Sequence, residues 1–158
     1  MSMLVPQTTC SAESLPMAVA VAVEVELNGL KEITGGTRYN SKIEISAANS
    51  GSIRFPNLTT IFDPESGDLR LRQINLKAQG LSSEISIPKL ESAIDQSSDS
   101  VWSVSEGATL NTPLLKYLAG TEISVDRLYS TLKAKQGGEV RVPQLKTLNL
   151  RWADRSIY

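Results

Sequence analysis

GSIRFPNLTTI (Gly51–Ile61), SEISIPKLESA (Ser83–Ala93) and GEVRVPQLKTL (Gly138–Leu148) are three copies of one phrase. Each alternates polar and aliphatic residues up to a proline, continues with a polar residue and a leucine, and closes on an apolar residue three positions later. ATLNTPLLKYL (Ala108–Leu118) is a fourth copy, and VEVELNGLKEI (Val23–Ile33) is a fifth with Asn28 at the proline position. Internal similarity of this kind outranks any short motif, because a missed repeat misassigns the whole fold.

Taking the proline position as a marker gives residues 28, 56, 88, 113 and 143, a repeat of 25–32 residues whose length varies outside the fixed phrase. Four apolar columns run down the alignment. The first is Val25, Ile53, Ile85, Leu110 and Val140; the second is Leu27, Phe55, Ile87, Thr112 and Val142. The third is Leu30, Leu58, Leu90, Leu115 and Leu145, and the fourth is Ile33, Ile61, Ala93, Leu118 and Leu148. Only Thr112 among these twenty is polar.

Before the proline the apolar positions recur every second residue, the period of a strand with one buried face. After it the spacing becomes three, which places a corner at the proline, a residue that cannot donate to a central ladder and has a fixed φ. Further strands are expected upstream of each phrase: KIEIS (Lys42–Ser46), LRLRQINLKA (Leu69–Ala78), VWSVS (Val101–Ser105) and STLKA (Ser130–Ala134). Small or polar stretches such as AANSG from Ala47 and AKQGG from Ala134 follow them, where glycine suits a positive-φ bend. No stretch has a useful helical period.

These features predict an all-β fold, a parallel β-helix or β-solenoid of about five coils with at least two core-facing strands each. One coil cannot stand alone, because its apolar face is covered only by the next coil. Residues 18–150 are assigned to the repeats, residues 1–17 to an N-terminal cap or flexible segment, and residues 151–158 to a C-terminal end. RWADRSIY finishes on apolar Ile157 and Tyr158, so that end is expected to be truncated from a longer array or stacked on a partner.

The LKEITGGTRYNSKIEISAANSGSIRFPNLTTI stretch (Leu30–Ile61) resembles the repeats of right-handed parallel β-helix regions in large bacterial surface or secreted proteins. The "PNLTTI" turn is also similar to turns in the L domains of receptor ectodomains and fungal cell-wall proteins. The first resemblance implies a stalk or adhesive surface, extracellular or at the cell surface, and covers roughly residues 18–150. The motif is a packing code and names no ligand.

Composition narrows the chemistry further. Sixteen basic and seventeen acidic residues, interspersed, leave a net charge of −1, with no footprint for nucleic acid or an anionic membrane. The chain has no histidine, which removes the commonest neutral-pH base and metal ligand. Cys10 is the single cysteine, so neither an internal disulfide nor a thiolate metal cage can form. LPMAVAVAVEV (Leu15–Val25) lacks a preceding positive charge and is too short to span a bilayer; its Val19, Val21, Val23, Val25, Leu27 alternation reads as the first coil.

No catalytic, cofactor-binding or metal-binding residue is nominated, and no cofactor is expected. DPESGD (Asp63–Asp68) lacks calcium-loop spacing and does not recur, so it is read as a solvated turn. Outward columns are Glu24, Ser52, Glu84, Thr109, Glu139 and Glu26, Arg54, Ser86, Asn111, Arg141. Glu24, Glu84 and Glu139 stand two or more coils apart, too far for a retaining glycosidase pair. Glu26 opposite Arg54 is read as a cross-strand charge pair.

Trp102, Trp152, Tyr117, Tyr129 and Tyr158 are expected to pack or cap more than to stack on sugars, and Gly35-Gly36 and Gly137-Gly138 to be turns, not phosphate loops. Asn57-Leu58-Thr59 matches a glycosylation sequon. The leading expectation is a non-catalytic structural or adhesive segment, with a glycan or another protein as partner and end-to-end self-association. A carbohydrate-binding or carbohydrate-active β-helix is the alternative.

Overall fold

The computed structural model describes residues 22–96, 100–120 and 130–149. The described residues begin with β1 (Glu24–Glu26) and β2 (Glu32–Thr34). Four three-strand turns follow. They comprise β3 (Lys42–Ala48), β4 (Ser52–Arg54) and β5 (Thr60–Asp63), then β6 (Gln73–Gln79), β7 (Glu84–Ser86) and β8 (Ser92–Asp95). The third holds β9 (Val101–Ser105), β10 (Thr109–Asn111) and β11 (Tyr117–Gly120), and the fourth β12 (Thr131–Ala134), β13 (Glu139–Arg141) and β14 (Thr147–Asn149).

Like strands of successive turns pair in parallel and form three sheets. Sheet A is β1-β4-β7-β10-β13, sheet B is β2-β5-β8-β11-β14, and sheet C is β3-β6-β9-β12. The protein is therefore a parallel β-solenoid of three faces, with four complete turns above a partial first rung. Each turn has three strands, one more than the minimum that the alternation alone required.

The columns read from the sequence are real files of side chains. Val25, Ile53, Ile85, Leu110 and Val140 are successive register partners down sheet A. Ile33, Ile61, Ala93, Leu118 and Leu148 are partners down sheet B. Sheet C closes the interior with Ile45, Leu76, Trp102 and Leu132 in one file. Their burial deepens toward the middle rungs, where Ile85, Ile87, Leu90 and Leu115 are fully buried. Burial of apolar surface between rungs, with each backbone satisfied by the rungs beside it, is what holds such a stack together.

The three corners are built differently. Between sheets A and B the connection is always five residues: 27–31, 55–59, 87–91, 112–116 and 142–146. In each, the residue before the proline position accepts from the leucine N–H three residues later, as in Ile87 O with Leu90 N at 3.2 Å and Thr112 O with Leu115 N at 3.1 Å. No residue in these connections has positive φ, so each is a type I turn with proline, or Asn28, at its second position. The missing proline N–H costs nothing there, because that position does not donate within the turn.

Between sheets C and A the connection is three or four residues and does use positive φ. Asn49 and Ser50, Glu106 and Gly107, and Gln136 and Gly137 fill the two central positions of three such turns. Glycine was the expected occupant, yet Asn49, Ser50, Glu106 and Gln136 adopt this conformation too. The B-to-C connection varies in length, with seven residues at 35–41 and nine at 64–72, and the last two connections include residues outside the described ones.

Cys10, Val19, Val21, Trp152, Tyr158 and the two terminal segments singled out in the sequence lie in residues 1–21 and 150–158, outside the described residues. Tyr129 is outside them as well.

Candidate functional site

Asp63 closes β5 and Asp95 closes β8, and the two are register partners in sheet B. They share the inward parity of Ile61 and Ala93. Two carboxylates on adjacent rungs, with strands about 4.8 Å apart, are the closest acid pair that this architecture offers, and they lie at the B–C corner rather than on the outward columns. No group of His, Cys, Asp and Glu among the described residues is arranged to hold a metal ion.

The solvated-turn reading of DPESGD fails at its first residue. Asp63 is 0 % exposed, and so is Arg72. Arg72 Nη2 donates to Asp63 Oδ1 at 2.8 Å, its Nη1 donates to Ser66 O at 2.6 Å, and Nη2 also reaches Pro64 O. The 64–71 loop is thus wrapped around a buried guanidinium. A buried charge needs both a counter-charge and satisfied donors, and this loop supplies them from its own carbonyls.

Gly35 belongs to the same construction. Its N–H continues the sheet B ladder to Phe62 O at 2.8 Å, and a Cβ there would collide with Asp63 Oδ1. One rung below the aspartate, the side chain is absent because the carboxylate occupies its space. The remainder of DPESGD is outside the core: Asp68 accepts from Arg70 Nε at 2.9 Å, and the Arg70 guanidinium lies 5.3 Å from the Tyr39 ring centre. The Arg70 backbone and side chain together hold the Asp68 carboxyl down to about 2, from an ordinary 3.8. Loop 35–41 and loop 64–72 are also tied by Asp68 N to Thr37 O at 3.0 Å and Asn40 N to Arg70 O at 3.1 Å.

Asp95, one rung higher, has a different cradle. Its Oδ2 accepts from the Ser100 N–H at 2.9 Å and from the Ser130 hydroxyl. Ser100 Oγ in turn accepts from the Ile74 N–H at 2.8 Å, and Asn75 Oδ1 accepts from Val101 N at 2.7 Å. These side chains stand in for ladder bonds at the entrance to β9. Beside them lies a cavity lined by Ile61, Ala93, Asp95, Trp102, Leu118 and Thr131, among others, that encloses about 20 Å³. Ala93 is the small member of its column, and the Trp102 ring borders the space it leaves.

Thr131 Oγ1 is buried at this cavity without a hydrogen-bond partner among the described residues. The volume suits a single water bound to polar partners. A sugar ring does not fit. Asp63 is sealed from solvent, and Asp95 is half-buried with its Oδ2 bound by two donors at this corner.

On the outward columns, Glu24, Ser52, Glu84, Thr109 and Glu139 are successive partners, as are Glu26, Arg54, Ser86, Asn111 and Arg141. Glu84 and Glu139 are two rungs apart. Arg141 Nη2 donates to Glu139 at 2.8 Å and holds that carboxyl below the usual glutamate range, the wrong direction for a general acid. Arg54 is 3.9 Å from Glu24, not paired with Glu26: the charge contact runs diagonally across the strands instead of directly between register partners.

The aromatic residues separate. Trp102 is buried, whereas Tyr117 stands on the outer face of sheet B at 48 % exposure and packs against no apolar column. Asn57 is tied into its turn, donating to Asn28 O at 2.8 Å and accepting from Lys89 Nζ at 2.8 Å, so the amide nitrogen of the sequon is engaged.

The buried Asp63–Arg72 pair is the main feature that sequence reasoning missed. A signal existed: Arg72 follows Leu71 in what looks like an alternating strand, but at the parity of Ile74 and Leu76. No match to this chain was found among protein-family models, curated proteins or solved structures.

Proposed function

We propose that the chain is a non-catalytic structural segment of a surface or secreted protein, of the adhesin-like kind, whose flat outer faces serve as a scaffold or contact a glycan or another protein. One observation carries this reading: four of the outward carboxylates are matched to neighbouring cations. Glu24 pairs with Arg54, Glu44 with Lys77 at 2.8 Å, Glu91 with Lys116 at 3.0 Å, and Glu139 with Arg141. All four pairs are exposed, and each contributes little to stability. What they do provide is a nearly neutral polar surface with hydrogen-bonding groups repeated at each rung, suited to broad, weak contact.

The test is a glycan array combined with turnover assays on the full chain. Retention of a glycan or protein without product formation is the expected result. Release of reducing ends or unsaturated sugars from any polysaccharide would overturn the reading and favour the carbohydrate-active alternative.

A further inference from the structure

Each interior rung buries its apolar columns between two others, and the terminal described rungs do not. Val25 and Leu27 in the first rung are 42 % and 43 % exposed, and Leu148 in the last is 55 % exposed. Their column-mates in the middle, Ile85, Ile87 and Ala93, are at most 2 % exposed. The surface that fits such an end best is another rung, because all rungs share one column pattern. The last rung offers Leu148 and the half-buried Val140, Val142 and Leu145, while the first offers Val25, Leu27 and the half-buried Leu30, its fourth column member Ile33 being buried.

Charge favours one way of joining them. If the columns continue in register, Arg141 of the last rung falls opposite Glu26 of the first, as Asn111 falls opposite Arg141 within the chain. Glu26 makes no ion pair among the described residues, and the neighbouring Glu24 is already matched by Arg54. Glu139, which would face Glu24, is matched by Arg141. A head-to-head arrangement would instead set Glu24 and Glu26 against their own copies.

We propose that the last rung of one molecule stacks on the first rung of a second copy of this chain, continuing sheets A and B across the junction. The contact joins two different surfaces, so it does not close on itself and builds open-ended linear assemblies. It is independent of whether the outer faces bind a glycan or a protein.

The experiment uses the full chain in a Cys10→Ser background with Thr34→Cys and Asn149→Cys. These exposed positions begin and end one outward column of sheet B, Thr34, Phe62, Ile94, Ala119, Asn149. Across the junction their Cα atoms would come to strand spacing of about 4.8 Å, within disulfide reach. Mild oxidation is expected to give a ladder of linked species from the double variant and none from either single variant.

Sedimentation of the unmodified chain is expected to show concentration-dependent, open-ended association, weakened about two- to fivefold by Arg141→Glu, the range of an exposed ion pair. Linkage of Thr34→Cys to itself would show a head-to-head dimer and overturn the proposal. A monomer up to about 100 µM with no cross-links would overturn it as well.

Discussion

The A–B and B–C corners join the same sheet B to its two neighbours, yet they solve the problem in opposite ways. The A–B corner repeats one device five times: a five-residue connection, a type I turn, and a leucine pointing inward. The B–C corner never repeats itself. It runs through seven residues at 35–41 and nine at 64–72, with a glycine against Asp63 in one turn, a buried arginine in the next, and a serine-bound Asp95 after that. A repeat protein can therefore keep its stack in register through a constant corner and vary another. Diversity at the B–C corner is tolerated because buried polar groups there find partners either within one loop, as Arg72 does at Ser66 O, or in the loop of the neighbouring rung, as Asp95 does at Ser130.

The comparison is broken most forcefully by removing Arg72. Arg72→Met leaves the Asp63 carboxylate buried without its counter-charge, and is expected to lower stability by about 3–5 kcal/mol in urea unfolding. Adding Asp63→Val removes the stranded charge at similar volume, so the double variant should recover much of the loss. If the single substitution costs no more than an exposed ion pair, the B–C corner is a passive loop and the contrast with the A–B corner disappears.

The same contrast explains what could be read from the residues in advance. Columns such as Leu58, Leu90 and Leu115 were legible because an apolar demand recurs at every rung, so five independent positions report one fact. The prolines at 56, 88, 113 and 143 were legible for the same reason, and the corner they marked is where the structure has it. Asp63 and Arg72 are a single solution used once, and charged residues beside Pro64 and Gly67 carry the composition of an exposed turn. The pairing became visible only when nine residues of loop were closed in space. Arg54 shows a smaller limit: register fixed its neighbours, but not whether a long side chain reaches straight across to Glu26 or diagonally to Glu24.

A milder perturbation sharpens the A–B side. Thr112 is the polar member of its inward column; it is fully buried, and its Oγ1 has no hydrogen-bond partner among the described residues. Its backbone serves the turn through Leu115 N, so the side chain alone is out of place. Thr112→Val keeps the β-branched shape, removes the desolvated hydroxyl, and is expected to stabilise the protein by about 1 kcal/mol. The midpoint of urea unfolding should rise with an unchanged slope. A loss of stability would mean that the hydroxyl has a bound partner and that this corner, too, carries a local polar device.

The smallest expected effect tests whether the exposed part of the B–C corner behaves differently from its buried part. Asp68 is held to about 2 by the Arg70 side chain and backbone N–H, against 3.8 for the unperturbed group. Because the folded carboxyl is the stronger acid, its contribution favours the folded state above pH 3.8. It fades as pH falls from 3.8 toward 2, where both states become protonated. Following the Asp68 carboxyl by NMR should give a midpoint near 2, returning toward 3.8 in Arg70→Ala. The stability difference between the two proteins should shrink across that pH window, leaving whatever the Arg70–Tyr39 contact supplies, since that contact involves no carboxylate. Were Asp68 to titrate near 3.8 in the unaltered chain, loops 35–41 and 64–72 would be held together by their backbone bonds and the buried Arg72 alone.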